Sequence, residues 1–419
     1  MASKKVLVLG GGVIGLCSAY YAAQQGHAVT VLDREAAEQT TGCSFGNAGM
    51  IVPSHFIPLA APGMLAYGLK TMWNAESPFY LKPRLDFDLL SWGWNFWRAS
   101  SAQRVAKAAP VLRDLHLLSR TLYEELSAKT GGAFGLVRKG LLMLCKTQHA
   151  LDEEARVAET AKSLGVPAEL LDAKQTAQRD PGATMDVAGS VHYPLDCHLA
   201  PLALMQTLRA ELKKLGVEMR TETVARGWVT RGSRVEAVQT TSGIFDADEF
   251  VLSGGIWSDE LARGLDLRIP MQAGKGYSVT LDAPRSLPHL CSILVEGRVA
   301  VTPMGGKLRF GGTMELSGIS TTINSNRVRG IVNTALKYFP DFKEDDFKGL
   351  PAWSGMRPCS PDGLPYLGRT KRYENLIVAT GHAMMGISLA PATGKIVAEI
   401  LNREKTAVDV GALQPERYN

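Results

Sequence analysis

Three glycines near the start of the chain have the spacing that binding of a nucleotide pyrophosphate requires. Gly10, Gly12 and Gly15 follow an apolar run at residues 6–9 in the pattern G-x-G-x-x-G. The first glycine permits a tight turn, the second leaves the backbone open to phosphates, and the third lets a helix pack closely. Asp33 follows about 20 residues later, where a carboxylate can accept hydrogen bonds from ribose hydroxyls. The pattern predicts a dinucleotide site that suits NAD or FAD better than NADP; the alternative is a glycine-rich turn without a ligand.

The elements that position these residues can be predicted from the same stretch. Residues 6–9 have the apolar character of a buried parallel strand, and residues 28–32 have that of a second one. Between them a helical pattern continues to Gln25, and Gly26 has the position of a C-cap. We expect the N–H groups and the positive dipole end of this helix to face the phosphates.

Length and composition bound the class of protein. A chain of 419 residues exceeds one ordinary core, so two domains are expected, and 45% hydrophobic with 21% charged residues is typical of a globular protein. A net charge of +5 without a Lys/Arg block argues against a nucleic-acid partner, although it suits acidic substrates or an anionic membrane surface. The six scattered cysteines predict a reduced, cytoplasmic chain, and no cluster has metal-ligand spacing. We expect neither a signal peptide nor a membrane-spanning segment.

The rest of the chain alternates between helical and strand patterns. Helices are predicted at 106–129, 149–164, 201–215 and 388–401, strands at 218–224, 234–240, 245–252 and 375–379, and short antiparallel strands between 274 and 313. Nucleotide-type βα units thus occur at both ends and in the middle of the chain, which fits FAD better than NAD. We predict an α/β (α+β, two-domain) fold. Its parts are a Rossmann-like FAD-binding domain at 1–53, 145–265 and 345–419, interleaved with a mixed or antiparallel-sheet substrate domain at 54–144 and 266–344.

Two pairs of residues have more than one interpretation. Trp92 and Phe96 belong to an aromatic segment that suits either an anchor on a membrane surface or a core between domains, and we favour the core. Asp196 and His198 precede a predicted helix, and we favour turn and capping roles for them over a place in a binding site.

Four longer motifs carry a resemblance to a known family. They are SFGNAG at 44–49, ADEFVLSGGIWS at 247–258, SGMRPCSPDGLPYLG at 354–368 and ATGHAMMGISLAPATGKIVAEIL at 379–401. With the N-terminal glycines, these motifs resemble the FAD-dependent D-amino acid oxidase superfamily over nearly the whole chain. That group includes glycine oxidase, sarcosine oxidase and D-amino acid dehydrogenase. The F-x-N-A-G loop and the AAPG stretch at 60–63 are most similar to bacterial D-amino acid dehydrogenases.

The resemblance implies a reaction and a cofactor. The expected reaction is oxidation of the Cα–N bond of a D-amino acid, or of a cyclic D-imino acid such as D-proline or cis-4-hydroxy-D-proline, by hydride transfer to flavin N5. The product is an imino acid or 2-oxo acid, and the electrons pass to a quinone or another carrier. Alternatives are a glycine or sarcosine oxidase that uses oxygen, and a flavin-binding subunit of a larger assembly. The oligomeric state stays open, and peripheral contact with the cytoplasmic face of a membrane is an option.

The resemblance also implies roles for residues around the substrate. Arg357 matches the arginine that binds the substrate carboxylate in relatives similar to glycine oxidase, and its guanidinium suits that bidentate role; the alternative is a surface ion pair with Asp362. His382 is expected near the flavin ring or the substrate. His55 and Tyr277 are candidates for shaping the substrate pocket.

More residues are predicted to contact the cofactor than the substrate. N–H groups at the start of the last helix are expected to stabilise negative charge near N1 and O2 of the reduced flavin. Cys359 does not have the register of a flavin-attachment cysteine, so non-covalent FAD is expected. The predicted FAD-binding residues are Gly10, Gly12, Val13, Ile14, Gly15, Asp33, Arg34, Ser44, Asn47, Ala48, Gly49, Val224, Gly254, Trp257, Gly381, Met385, Gly386, Ile387 and Ser388.

Overall fold

The structure, a computed structural model, describes residues 2–39, 42–71, 76–82, 84 and 86–418. Thr40 and Thr41, which precede the SFGNAG motif, lie outside these ranges. The helices are α1 (Val13–Gln24), α2 (Met64–Thr71), α3 (Phe87–Ala99), α4 (Ala102–Lys129), α5 (Gln148–Ser163), α6 (Ala173–Arg179), α7 (Pro201–Lys214), α8 (Ser258–Arg263), α9 (Ser325–Tyr338) and α10 (Gly386–Leu401).

The strands occur along the whole chain. They are β1 (Lys5–Leu9), β2 (Ala28–Leu32), β3 (Met50–Ile51), β4 (Phe79–Leu81), β5 (Leu141–Cys145), β6 (Glu169–Asp172), β7 (Gly189–Tyr193), β8 (Cys197–His198), β9 (Glu218–Arg220), β10 (Ala225–Arg231), β11 (Arg234–Thr240), β12 (Gly243–Asp246), β13 (Glu249–Leu252), β14 (Gln272–Leu281), β15 (Cys291–Leu294), β16 (Val299–Met304), β17 (Lys307–Leu316), β18 (Trp353–Cys359), β19 (Tyr366–Arg369) and β20 (Leu376–Thr380).

The first sheet carries the N-terminal glycine motif. Its strand order is β19-β20-β13-β1-β2-β9, and the strands from β20 to β9 are parallel. Successive residues of β1 alternate between its faces: Val6 and Val8 pack with α1, α4, α7 and α10, whereas Leu7 and Leu9 pack with the β10–β11 side. The predicted strand–helix–strand unit is confirmed to within a residue or two. The carboxyl ends of β1 and β2 therefore lie side by side, where doubly wound folds bind ligands.

The second sheet is larger and mostly antiparallel. Its strand order is β18-β14-β17-β16-β15-β5-β7-β6, with β4 beside β17. The predicted antiparallel strands between 274 and 313 are confirmed. One face packs against α9, and the other packs partly against α5 and partly lines a large cavity. The two-domain α/β prediction is also confirmed.

The structure differs from the predicted domain boundaries in three segments. β6 and β7 were expected in the FAD-binding domain but extend the second sheet, and β18 borders that sheet as well. α4 was expected in the substrate domain but packs against α10. A short apolar strand does not reveal which sheet it will join, because its periodicity is the same in either.

Two predicted strands are interrupted in the structure. The pattern at 218–224 covers β9 and then a break before β10, where Glu222 has a φ of +53°. The pattern at 245–252 covers the end of β12 and all of β13. In both places a turn separates two strands that belong to different sheets.

The aromatic helix α3 has two different faces. Trp92 and Phe96 are buried, and the Trp92 indole donates to Cys359 O at 2.8 Å, which confirms the core interpretation for this pair. The opposite face exposes apolar side chains: Phe87 is 84% exposed, Leu90 64%, Trp94 59% and Trp97 55%. Within the described ranges, one helical segment, Ala383–Leu401, is long and apolar enough to span a membrane, but 67% of its apolar window is buried inside the fold, as in a core helix.

Candidate active site

One large cavity lies between the two sheets. Its volume is about 1160 Å³, and its wall includes the turn after β1, the starts of α1 and α10, and the open face of the second sheet. Most of the predicted site residues line this cavity. Gly15, Gly49, Gly381 and Ser388 were predicted to contact FAD but are not among the residues that line the cavity.

The glycines after β1 differ in the space around them. Gly10 has a φ of +116°, and a Cβ there would lie 2.5 Å from Ser253 O. A Cβ on Gly15 would overlap Gly10 O, so this glycine lets α1 pack against the turn. A Cβ on Gly12 would meet only Ser44 Oγ, at 3.7 Å. The space beside Gly12 opens into the cavity, as a pyrophosphate cradle requires.

Charged and aromatic groups surround the ends of β2 and β13. Asp33 lines the cavity directly after β2, and burial raises its pKa although the N–H of Glu35 donates to its carboxylate. The Arg34 guanidinium lies 4.3 Å from the centroid of the Trp257 ring, so these two predicted FAD residues are in contact. Val224 also lines the cavity, but its backbone N–H and C=O are hydrogen-bonded to Thr241. Only its side chain can therefore contribute to the wall.

The loop at 42–49 closes over the start of α1. Ser44 Oγ accepts from the Val13 N–H at 3.0 Å, so that N–H, which was expected to face the phosphates, is bound by a side chain instead. Asn47 Oδ1 accepts from the Gly49 N–H at 2.8 Å. Gly49 has a φ of +73° and abuts Leu199 O, which leaves no room for a side chain.

Arg309 holds this loop against the second sheet, and the sequence did not single it out. Its guanidinium donates to the carbonyl oxygens of Phe45 at 3.0 Å and Asn47 at 2.8 Å. Ser278 Oγ donates to Gly46 O at 3.3 Å. The signal available in the sequence was an arginine inside the region of predicted antiparallel strands.

The start of α10 forms another part of the wall. Met385, Gly386 and Ile387 line the cavity, and nothing lies within 4 Å of a Cβ placed on Gly386. Ser388 is buried, and its hydroxyl accepts from the Val52 N–H at 2.9 Å and lies 2.7 Å from His116 Nδ1. The helix N-terminus with its positive dipole end thus faces the cavity, whereas the Ser388 side chain holds the helix to its neighbours.

His382 lies in the turn before α10, where Gly381 has a φ of +77°. The ring borders the cavity, but its Nε2 lies 2.9 Å from Thr393 Oγ1. Burial lowers the His382 pKa to about 3, so the ring is neutral at physiological pH. This arrangement favours a structural role over proton transfer.

Arg357 projects from β18 across Gly276 into the cavity. Its Nη1 donates to Thr313 O at 2.5 Å, and a Cβ on Gly276 would overlap the guanidinium. Burial lowers the Arg357 pKa, and no carboxylate among the described residues forms an ion pair with it. The alternative pairing with Asp362 is wrong, because Asp362 accepts two hydrogen bonds from Arg417 at 2.8 and 2.9 Å.

Tyr277 borders the cavity, but its side chain is buried in the core cluster that the second sheet forms with α9. The hydroxyl donates to Glu315 Oε2 at 2.8 Å, and Lys275 Nζ lies 3.3 Å from the other oxygen of that carboxylate. Burial and the hydrogen bond to Glu315 raise the Tyr277 pKa. The side chain is therefore held in the core and is not an acid or base, so it can shape the pocket only through the strand that carries it.

His55 belongs to a buried hydrogen-bonded chain. Its Nδ1 lies 3.0 Å from Ser54 Oγ, and Ser54 Oγ donates to Asp196 Oδ2 at 2.5 Å. Burial lowers the His55 pKa to about 4 and raises the Asp196 pKa to about 7. Asp196 does lie in a turn, as predicted, but its carboxylate also supports a residue of the cavity wall. His198 pairs through its backbone with Val137 and Met50, which agrees with a structural role.

Other cavity residues were not anticipated. The Trp353 indole packs between Gly46 and Gly355, where added Cβ atoms would overlap it. Glu154 and Arg298 line the far end. Glu154 had a detectable signal, since it is a lone acid within the apolar stripe of a predicted helix. In the described part of the chain, no cluster of three or more His, Cys, Asp or Glu side chains could hold a metal ion.

Comparisons with known proteins agree with this arrangement. Residues 5–400 match the family model described as FAD dependent oxidoreductase. The chain is 34% identical over 428 aligned residues to a D-amino acid dehydrogenase of Bradyrhizobium diazoefficiens, with 99% of both chains covered. It is 31% identical to a D-amino acid dehydrogenase of Granulibacter bethesdensis, again with 99% of both covered.

Solved structures show the same fold. Glycine oxidase from Geobacillus kaustophilus superposes with a TM-score of 0.78 at 25% identity over 100% of both chains. L-proline dehydrogenase from P. horikoshii gives a TM-score of 0.75 at 20% identity, over 99% of this chain and 98% of the other. The open space at Gly12, the acid after β2 and the helix N-termini at the cavity fit a dinucleotide. The chain therefore belongs to the family of FAD-dependent oxidoreductases that includes the D-amino acid dehydrogenases, and FAD is its cofactor.

Proposed function

We propose that this enzyme oxidises the Cα–N bond of a D-amino acid, or of a cyclic D-imino acid such as D-proline or cis-4-hydroxy-D-proline. The product is an imino acid, which hydrolyses to a 2-oxo acid unless it is cyclic. The electrons pass to a quinone or another carrier. Relatives named D-amino acid dehydrogenase, matched over almost their full length, support this proposal.

The observation that carries the proposal is the environment of Arg357. The Arg357 guanidinium is partly buried in the cavity wall, and no carboxylate among the described residues pairs with it, so a ligand carboxylate would supply the missing charge. Its fork geometry matches a carboxylate, and Thr313 O holds one nitrogen in place. An α-amino or α-imino acid provides that carboxylate beside the bond to be oxidised.

The chain's own residues would then orient the substrate and exclude water. FAD, when bound, supplies the hydride acceptor. Arg357 fixes the carboxylate, and the apolar wall limits where Cα can lie. His55 is neutral at physiological pH, so it adds no charge that would repel a substrate ammonium group. Non-covalent binding of FAD is part of the proposal; the Cys359 thiol is fully buried and points toward Arg357 O.

Anaerobic bleaching of the flavin absorbance tests this function. Fast reduction by D-amino or D-imino acids, with slow reoxidation by oxygen and fast reoxidation by a quinone analogue, is the expected result. Reduction by glycine or sarcosine with rapid oxygen consumption would favour the second candidate, an oxidase, which the similarity to glycine oxidase supports. A flavoprotein that no amino acid reduces would favour the third, a subunit that acts inside a larger assembly.

The exposed apolar face of α3 supports a proposal about where in the cell the enzyme passes on its electrons. We propose a cytoplasmic enzyme whose Phe87, Trp94 and Trp97 contact the surface of a quinone-containing membrane, with the exposed cations Arg98 and Arg104 close by in the chain. Co-sedimentation with vesicles containing anionic lipid should fall sharply when Trp94 and Trp97 are replaced by serine. Equal sedimentation of the double variant would contradict this location.

A further inference from the structure

Glu154 is a charged residue on the apolar face of α5. The buried residues of this helix are Ala150, Leu151, Ala158 and Ala161, and Glu154 lies between them at the spacing of the same face. The other acids of the helix are on the solvent side and have partners there: Asp152 with Gln148, Glu153 with His149 and Glu159 with Lys162. Glu154 therefore breaks the pattern that the rest of the helix follows.

Glu154 is open to the cavity and has apolar neighbours in the cavity wall. It lines the cavity with Met143, Ile293 and Val295. No hydrogen bond or ion pair to its carboxylate occurs among the residues that the structure describes, and burial is the main reason why its pKa rises to about 7.

The charged groups that face Glu154 do not satisfy its carboxylate. Glu153 and Glu296 act in the same direction as burial, and Arg298 opposes them. The Arg298 guanidinium lies instead over the Tyr67 ring, 4.5 Å from its centroid, and 3.7 to 3.8 Å from Met64 Sδ. An acid in this position needs a hydrogen-bond donor that a ligand can bring.

A row of residues in cross-strand register connects Arg357 with Glu154. Gly311 on β17 pairs with Ala300 on β16, Ala300 with Ile293 on β15, and Ile293 with Met143 on β5. All four residues line the cavity. Because Gly311 has no side chain and Ala300 has only a methyl group, they leave room above this part of the sheet. The Arg357 guanidinium bonds to Thr313 O on β17, and Glu154 faces the region of β15 and β5. Two strand spacings, roughly 10 Å, separate β17 from β15.

We propose that Glu154 binds the far end of the substrate's side chain, and that the preferred substrates are D-amino acids with an extended side chain that ends in a cationic hydrogen-bond donor. The inference rests on the proposed oxidation of D-amino acids, with Arg357 on the carboxylate. A side chain of four or five bonds, with a hydrogen bond of about 3 Å at each end, spans the distance between the two groups. A cation at that end also offsets the cost of burying the Glu154 charge.

Steady-state kinetics with D-lysine and D-norleucine test this, because the two substrates differ mainly in the terminal ammonium group. The wild-type kcat/KM should favour D-lysine, and Glu154→Gln should lower the D-lysine to D-norleucine ratio about tenfold or more, mainly through KM for D-lysine. Glu154→Leu should lower it further. Glu159→Gln, on the solvent side of the same helix, should leave the ratio unchanged. Flavin absorbance and melting temperature check that each variant is folded.

Two results would overturn the inference and leave the proposed function standing. One is turnover of D-norleucine or cis-4-hydroxy-D-proline in preference to D-lysine by the wild type. The other is a ratio that Glu154→Gln leaves unchanged. Failure of every D-amino and D-imino acid to reduce the flavin would instead contradict the proposed function itself.

Discussion

Ser54 donates two hydrogen bonds to the carboxylate of Asp196, from its N–H to Oδ1 at 3.1 Å and from its hydroxyl to Oδ2 at 2.5 Å. The two residues are 142 positions apart in the chain. Their contact fixes the segment that carries His55 against the turn after β7, and so connects the cavity wall to the large sheet. Asp196 is fully buried, and Arg120 is the cation that acts on its carboxylate.

The buried Asp196 predicts a specific pH dependence of stability. Burial raises its pKa to about 7 in the folded protein, whereas an ordinary aspartate has a pKa of 3.8, so the folded state keeps a proton that the unfolded chain loses first. The stabilisation is complete below pH 4 and is lost as pH rises toward 7. The loss is about 1.4 kcal/mol per pH unit well below the folded pKa, which amounts to roughly 2 kcal/mol between pH 5 and pH 7.

Asp196→Asn should remove this part of the pH dependence, because the amide keeps an acceptor for Ser54 and has no charge to bury. Denaturant unfolding of the two holoproteins at pH 5, 6 and 7 measures it. The variant should gain in free energy of unfolding relative to wild type as pH rises. Parallel curves for the two proteins would show that Asp196 does not titrate in this range.

The glycines after β1 give a pair of variants with opposite expectations. Gly12→Ala meets only Ser44 Oγ at 3.7 Å, so the fold should persist, while the new methyl group occupies space beside the helix N-terminus. FAD affinity should fall about 10–100-fold. Gly15→Ala overlaps Gly10 O and should lower the melting temperature of the holoprotein as well. Normal FAD affinity in Gly12→Ala would place the pyrophosphate elsewhere.

The Arg357 guanidinium packs directly against Gly276, and a Cβ on Gly276 would overlap it. Gly276→Ala should therefore weaken the binding of a carboxylate ligand about tenfold or more, while FAD binding persists. Titration of the flavin spectrum with an unreactive carboxylate measures this. Gly93→Ala on α3, where nothing lies within 4 Å of the added methyl, is the matched control. Equal weakening in both variants would argue against a local effect on Arg357.

Local patterns in the sequence predicted the nucleotide-binding end well. The strand, the glycines, α1 and β2 are adjacent in the chain, so periodicity and turn chemistry were sufficient. The sheet to which β6 and β7 belong depends on long-range pairing, which leaves no local signature. The hydrogen bonds from Ser54 to Asp196, and those from Arg309 to the 42–49 loop, also join residues that are far apart in the chain. Local sequence patterns therefore did not predict them. Glu154 could have been found, because its position violates the apolar stripe of its helix.

Arg357 itself provides the most direct test of the central claim, that its guanidinium binds the substrate carboxylate for oxidation of the adjacent Cα–N bond. Anaerobic flavin reduction should be compared in wild type and Arg357→Gln with a reactive D-amino acid and with its carboxamide. The account predicts that the variant loses about 100-fold or more in apparent affinity for the amino acid and little for the carboxamide, with FAD retained. Equal reduction of the amino acid by both proteins, or equal losses for both substrates, would contradict it.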